Sequence, residues 1–547
     1  MADEKFDVVV IGGGSKALVA ALYLQAYGGM NVCVFERMHE LGGSWCSLER
    51  LAPGFIGDTH SSTMSDWYFL PLLYDFPKFE EYGAKFFGYK VGLAQVIKDD
   101  PENSLLIYSY FDDPTGEKSA KEIARYSERD AETFLKFDDM HFREGRREAL
   151  LETIFNLAPP PDQPDPLERW YREYMKRKDA ILDPQIMMMS MIDSGRALFE
   201  SVEYRALMTS IIARMDINPM KPMGGGAWFI AQGRRENNRV VGGTHNIAHA
   251  VIRLFVENGG KFYTRKEVDK IIIENGTAKG IRLVDGTEVG AKIVVSGQDP
   301  YQLAFRLIGK EHLERKVWMK VGALDRSENM INWYTFALHD IPHYRAASRN
   351  PDIDTAQWVH IANGDDAEMA KEACLRYAGI EPPCPQVRCC PTNSDIDPTR
   401  QPEGKATLLV ETLTLPKDFR SEREWLKYKM DMARHMINEI NRVAPNITWD
   451  SVIGVDTNSP YDIGSRHLNM ATGNQLVVDP NPATKGKFAP IIEWARHRIP
   501  GVKNLYATGS AWSSFHSAYC GQGYKCYKAV AEDFDLRKPW EEKGRPW

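Results

Sequence analysis

The sequence predicts an α/β protein in which one parallel-sheet domain is assembled from three separated stretches of chain, with mixed α+β insertions between them. Three observations carry that prediction. The first is a strand, glycine turn, helix and second strand within residues 6–36. The second is a helix, antiparallel strands and a buried return strand over residues 242–296. The third is a strand ending in Thr508-Gly509, with a glycine-headed helix beyond it.

The opening unit is the most specific. Asp7-Val8-Val9-Val10-Ile11 is a short apolar run of the kind that makes a strand buried on both faces. Gly12-Gly13-Gly14-Ser15-Lys16-Ala17 follows at once and fits G-x-G-x-x-G/A through Gly12, Gly14 and Ala17. Residues 18–27 are apolar and alanine-rich, a helix closed by Gly28-Gly29. Val32-Cys33-Val34-Phe35 is the next strand, with Glu36 at its end. Small residues at 12 and 14 let the backbone approach a pyrophosphate, and Ala17 lets helix and strand pack closely. The helix N-terminus then faces the negative charge, and Glu36, at about the expected 20-residue offset, accepts from ribose hydroxyls. The pattern reads as a dinucleotide site.

Glu36 is followed by Arg37 and, a few residues on, by Gly42-Gly43-Ser44. A plain NAD dehydrogenase has no need of that second glycine pair. In FAD-binding folds that resemble glutathione reductase and amine oxidase, an E-x-x-x-x-x-G-G segment curls back beside ribose and pyrophosphate.

The second stretch begins at Gly242-Gly243-Thr244, which opens a helix closed by Gly259-Gly260. Strands are expected at residues 261–263, 267–273, 280–284 and 287–289, turned by Asn275-Gly276 and Asp285-Gly286, with Ala291-Lys292-Ile293-Val294-Val295 running back as a separate buried strand. In the third stretch, residues 502–510 form a strand ending in Thr-Gly, and Gly521-Gln522-Gly523 opens a helix whose N-terminus suits a phosphate or flavin. Between these stretches, residues 131–215 are helical, broken by Pro159-Pro160-Pro161. Their Met187-Met188-Met189 and Met191 read as methionine-rich helix core in preference to a pocket lining. Residues 320–480 are mixed, with a strand at 406–412 and a charged helix at 422–441. Residues 535–547 read as a polar, frayed tail.

Bulk properties set limits. A chain of 547 residues suggests two or more lobes. With 26% charged and 43% hydrophobic residues and a net charge of −7, it is of ordinary globular composition, and no basic patch calls for nucleic acid. No signal peptide is read at the start, and no apolar run approaches about 18 residues. The eight cysteines form no disulfide framework, and the Cys384, Cys389, Cys390 spacing is not that of a zinc site. The expected setting is cytoplasmic, with peripheral membrane contact and an oligomer left open.

With these segments placed, the chain resembles the phytoene desaturase-like branch of FAD oxidoreductases, which includes carotenoid desaturases, ketolases and phytoene dehydrogenase-related proteins. Residues 7–43 look like its FAD signature, and Pro53-Gly54-Phe55 through His60-Ser61 like its following loop. Residues 242–300 look like its GG-helix and strand block, residues 194–210 like part of its helical lobe, and residues 501–529 like its C-terminal strand, loop and helix. Two departures stand out. The branch often has Gly where this chain has Ala17, and its H-P-G-G-G-like loop is here His516-Ser517-Ala518-Tyr519-Cys520-Gly521.

The resemblance implies a discontinuous Rossmann-like FAD-binding domain of the glutathione reductase/amine oxidase type with an inserted mixed α+β substrate domain. The FAD domain would comprise residues 1–75, 235–320 and 488–535; the substrate lobe 76–234 and 321–487; the tail 536–547. Expected cofactor contacts are Gly12, Gly14, Ser15, Ala17, Glu36, Arg37, Gly43, Ser44, Val268, Gly509, Ser510, Gly521, Gln522 and Gly523. The implied activity is removal of a hydride from a lipophilic isoprenoid, terpenoid or alicyclic substrate onto flavin N5, with oxygen, a quinone or a partner protein as electron acceptor. Alternatives are a flavin-dependent hydroxylase, ketolase or isomerase, or a non-catalytic prenyl- or lipid-binding escort protein. Candidate proton acceptors are His60, His516 and Tyr519, because histidine near neutrality suits proton transfer and two of the three lie in loops that the resemblance puts by the flavin. His245 and His249 stand four apart on a helix but lack the acid of an HExxH site, so no metal is expected. Arg234, Arg235 and Arg239 are read as a solvated charged loop, with phosphate or acid binding as the alternative.

Overall fold

The computed structural model describes residues 6–215, 218–222, 224–226, 228, 234–328, 330–513 and 519–547. Two seven-stranded sheets organise it. In the first, β1 (Phe6–Ile11), β2 (Val32–Phe35), β3 (Lys261–Tyr263), β4 (Val268–Glu274), β5 (Thr277–Leu283), β6 (Glu288–Ser296) and β7 (Leu505–Ala507) lie in the order β4-β5-β6-β1-β2-β3, with β7 also on β6. β1 pairs in parallel with both β2 and β6, and its side chains are almost wholly buried. That is why its sequence is an unbroken apolar run rather than an alternating one. Helices α1 (Ser15–Ala26), α2 (His245–Glu257) and α3 (Gly521–Phe534) cover this sheet, and Ala17, Leu18, Ala248 and Ala529 share one core.

One expected element merges with another. Residues 288–289 and 291–295 belong to a single strand, β6. Its first half pairs antiparallel with β5 through Gly280↔Gly290, and its second half pairs in parallel with β1 and β7. Gly290 makes no turn, so the antiparallel ribbon runs directly into the parallel sheet.

The second sheet takes its strands from residues 91–108 and 330–458. Its order is Val452–Asn458, Met330–Leu338, Ala406–Thr414, Val387–Asn393, Trp358–Ala362, Val91–Ile97 and Asp100–Tyr108. The charged helix Glu422–Val443 begins with a capping box from Ser421 and Glu424 and packs Met436, Ile437 and Ile440 against this sheet. No helix among the described residues is long and apolar enough to cross a membrane.

Three further expectations are corrected. The C-terminal segment is docked, not frayed. Lys543 and Arg545 reach the buried Asp75 at 2.9 and 2.6 Å, Asn156 donates to Pro546 O, and Trp547 packs between Tyr74 and Phe155. Composition hid this, because its polar residues find buried partners and its tryptophan a slot. Arg235 and Arg239 are not solvated either. Arg235 is buried between Asp113 and Asp138, and Arg239 pairs with Asp58 at 2.8 Å. The side chain of Arg234 lies outside the described residues. Of the methionines, Met191 is core while Met188 is 65% exposed, so that run is core at one end only.

Candidate functional site

β1 delivers the chain to Gly12 at φ +85°, where an added Cβ would lie 2.5 Å from Gln298. The left-handed backbone favours glycine there, while the Gln298 amide is the movable end of a flexible side chain. At Gly14 a Cβ would meet nothing within 4 Å, so this residue opens onto free space. α1 starts directly after it with no side-chain cap and no acid in its first turn, which leaves its free N–H groups and dipole facing outward. Gly43 backs onto Gly14 so closely that a Cβ would come within 2.9 Å of the Gly14 Cα. The Glu36 carboxylate accepts from Gly13 N and Met38 N, both at 2.7 Å, and so locks the turn to the end of β2.

These residues border a cavity holding about 1160 Å³ of space between protein atoms. Gly12, Gly14, Glu36, Arg37, Gly43 and Val268 line it. A second compartment of about 530 Å³ shares Gly14 and Gly43 with the first and continues past Ser15, Ala17 and Ser44 to Gly509, Ser510 and Trp512. An elongated, anion-bearing ligand fits this shape: the glycine opening and the bare helix N-terminus take a diphosphate at the middle, with room at both ends. Gly521, Gln522 and Gly523 line neither compartment. A Cβ at 521 would stand 2.6 Å from Ile154 O, and one at 523 would stand 2.2 Å from Lys16 O, so these glycines serve close packing at the head of α3.

The compartments contain titratable groups that have little water. Lys16 is buried, with its Nζ 3.0 Å from Ser15 Oγ, and burial pulls its ammonium down to about 7. Asp299 caps the turn after β6 through Oδ1, leaves Oδ2 without a hydrogen-bond partner, and is pushed up by burial to about 7. Asn469 holds this wall by accepting from Asp299 N and donating to Gly297 O, both at 3.0 Å.

His60 lies in the wall of the larger cavity, its Nε2 2.8 Å from Nε2 of His467, so one proton serves both nitrogens. Burial, then His467 and Arg466, hold His60 well below its ordinary value. Burial, then Arg466, Arg37 and Arg50, bring His467 down to about 4. Arg37 donates to Arg466 O at 2.8 Å, and none of Arg37, Arg50 and Arg466 makes an ion pair with a carboxylate among the described residues. Tyr519 is buried against Tyr68 and Trp67, with ring centroids 4.5 and 5.5 Å away. His516 lies outside the described residues.

Sequence reasoning did not single out Lys16, Asp299, Arg466, His467 or Asn469. Lys16 stands inside the glycine motif, where a charged residue was itself a signal. Residues 466–469 carry no motif. Two acid-containing clusters among the described residues have metal-like spacing, Cys384-His435-Glu439 and Asp325-Glu328-Asp479. Each already holds a lysine ammonium, Lys98 at 2.5 Å from Glu439 and Lys221 at 2.6 Å from Glu328.

Comparison with known proteins agrees with this geometry. The family model described as NAD(P)-binding Rossmann-like domain matches residues 10–76. "Pyridine nucleotide-disulfide oxidoreductase domain-containing protein 2" of Rattus norvegicus is 24% identical over 92% of this chain and 90% of its own length. A limonene dehydrogenase polypeptide of Castellaniella defragrans is 22% identical over 98% of this chain and 97% of its own. A phytoene desaturase (neurosporene-forming) of Rhodobacter capsulatus is 37% identical over 14% of this chain and 17% of its own. Among solved structures, putrescine oxidase with bound putrescine superposes with a TM-score of 0.59 at 13% identity, covering 97% of this chain and 99% of that one, which is a likeness of fold.

Proposed function

We propose that this chain, a phytoene desaturase-like FAD-dependent oxidoreductase, takes a hydride from a lipophilic, isoprenoid or alicyclic substrate. The observation that carries the proposal is the pair of joined compartments. They run from Glu36 and Val268 past the open face of Gly14 to Ser510 and Trp512. The names of the relatives, limonene dehydrogenase and phytoene desaturase, support an isoprenoid substrate. FAD supplies the two-electron acceptor chemistry when bound.

In this reading residues 1–75, 235–320 and 488–535 form the FAD lobe, and 76–234 with 321–487 form the substrate lobe. Glu36, Arg37 and Val268 hold the adenosine end. Gly12, Gly14, Ser15, Gly43 and Ser44 let the diphosphate rest on the N-terminus of α1, and the uncompensated Arg37, Arg50 and Arg466 offset its charge. Gly509 and Ser510 border the flavin end, while Gly521 and Gly523 keep α3 close to α1. A base working near neutrality needs a matched pKa, and burial, then His467 and the arginines around His60, oppose its protonation. His60 therefore suits a neutral, hydrogen-bonding role with His467, and the proton acceptor is sought at Tyr519 and His516. The electron acceptor is oxygen, a quinone or a partner protein.

The test is anaerobic titration of the purified holoprotein with limonene, carotenoids and cyclic ketones. A true substrate bleaches the visible flavin band stoichiometrically. A colourless protein that takes up no FAD, or a flavin that none of these compounds reduces, contradicts the reading at its first or second step respectively.

A further inference from the structure

Away from the cofactor compartments, four reactive side chains from three separate stretches of chain meet beside the second sheet: Lys98, Cys384, His435 and Glu439. We propose that this cluster is a covalent modification site, in which oxidation of Cys384 by hydrogen peroxide joins its sulfur to the Lys98 nitrogen.

Each member is placed by the fold. Lys98 follows the strand Val91–Ile97, and its backbone N donates to Ala362 O at 2.9 Å. Its Nζ lies 2.5 Å from Glu439 and 4.0 Å from Cys384 Sγ, and the lysine and glutamate side chains are only 5% and 8% exposed. His435 and Glu439 stand four apart on the helix Glu422–Val443 and so share a face. One atom from each of them and Cys384 Sγ all lie within 4.8 Å of one another. His435 Nε2 donates to Pro385 O at 3.3 Å, which holds the residue after Cys384 to the helix.

Exposure and charge make the thiol reactive. Cys384 is exposed, so an oxidant reaches it, while the amine beside it is kept from water. An exposed thiol next to a cation is the setting in which peroxide oxidises cysteine. Cys374, also exposed, makes no hydrogen bond to a lysine among the described residues and serves as an internal control. A metal ion at the same place would have to expel Lys98 from a nearly buried ion pair, which is costly. The amine already at the sulfur is the better partner.

The link forms in two steps. Hydrogen peroxide converts the thiol to a sulfenic acid: an S–O bond forms, the O–O bond breaks, sulfur gives up two electrons, and the thiol hydrogen leaves with the second oxygen as water. Lys98 Nζ then attacks the sulfur, so that an S–N bond forms and the S–O bond breaks, with no further oxidation. Of the ammonium hydrogens, one passes to the Glu439 carboxylate, one leaves with the departing hydroxyl as water, and one stays on nitrogen. The product ties the end of Val91–Ile97 to the segment that leads into Val387–Asn393.

The test exposes the holoprotein to hydrogen peroxide, digests it without reductant and reads the peptides by tandem mass spectrometry. A peptide pair joined through Lys98 and Cys384, lighter by two hydrogens than the separate peptides, is expected, and a thiol reductant should release it. Cys384→Ser alters an exposed side chain and should lose the link entirely, with flavin content and thermal midpoint unchanged. Lys98→Arg keeps a cation for Glu439. In that variant the sulfenic acid should persist and be trapped by dimedone at Cys384, whereas trapping in the parent should fade as the link forms. Cys374 should oxidise without forming a link. Absence of the joined peptide from the peroxide-treated parent, equal dimedone trapping in the parent and Lys98→Arg, or joining of Cys384 to a different lysine would overturn the proposal.

Discussion

Asp58 and His60 stand two residues apart, and their surroundings are opposites. Asp58 is buried among Arg239 and Arg400, both within 2.9 Å, with Asp397 behind Arg400 and Ser47 donating to it. Trp333, from the second sheet, donates to its backbone oxygen at 2.7 Å. His60 faces the larger cavity beside His467 and the cations Arg50 and Arg466, neither of which makes an ion pair with a carboxylate among the described residues, although Asp456 and Asp462 act on Arg466 from further off. The first cluster is charge-balanced and joins the sheets. In the second the arginines make no ion pair among the described residues and border the cavity, an arrangement open to an anionic ligand.

The largest expected effect comes from unbalancing the first cluster. Arg400→Ala leaves Asp58 and Asp397 buried with less positive charge, which should cost about 3–5 kcal/mol of stability. Chemical denaturation measures this, and a loss below about 1 kcal/mol would mean that the cluster is not a joint between the sheets. The cluster also predicts acid sensitivity. Burial opposes the charge of Asp58, but Arg400 and Arg239 outweigh it and hold the carboxyl down at about 2. A depressed folded pKa adds stability above the unfolded value of about 4, and that stability is lost as pH falls through about 2.

Next in size is Gly14→Val. Nothing lies within 4 Å of its Cβ, so the fold should be untouched, while the branched side chain enters the cavity. FAD affinity is expected to fall about 100-fold or more, roughly 2.7 kcal/mol, with an unchanged thermal midpoint of the apoprotein. Gly523→Ala is the reverse case, because its Cβ would strike Lys16 O and force α1 and α3 apart. Its thermal midpoint should drop before any change in cofactor contacts is felt.

Arg466→Gln sharpens the contrast with Arg400. With no ion-paired carboxylate to abandon, it should leave stability within about 0.5 kcal/mol and weaken FAD by about tenfold, a loss that shrinks in high salt. Equal destabilisation by the two arginine variants would erase the distinction between the clusters.

The smallest effect belongs to His467. Its folded pKa, about 4, lies below the unfolded value of about 6.5, so the unfolded chain takes up the proton first as pH falls. Stability should therefore decline between about pH 6.5 and 4, and His467→Gln should flatten part of that decline. Urea unfolding at several pH values checks the slope.

What could be read from the sequence follows the same division. The Gly12–Gly14 turn, Glu36 and the strands around Val268 are legible because a local backbone motif needs nearby residues of fixed type. Arg466 and His467 meet His60 across about 400 positions of chain, and no short pattern records such a meeting. Arg235 and Arg239 looked like surface charge because their partners, Asp138 and Asp58, lie far off in the sequence. Residues 287–289 and 291–295 looked like separate strands, yet the glycine between them does not stop pairing on either side of β6. Trp547 and Arg545 carried the signal that the tail is anchored, since a tryptophan at a polar terminus needs a place to pack.

The most direct measurement is calorimetric titration of the apoprotein with FAD, run on the parent and on Gly14→Val, with a thermal unfolding scan of each. Stoichiometric binding by the parent, binding weakened about 100-fold or more by Gly14→Val, and superimposable unfolding scans of the two apoproteins are the predicted result. FAD binding of equal strength in both proteins would contradict it, because the cavity opened by Gly14 would then not be where the cofactor lies.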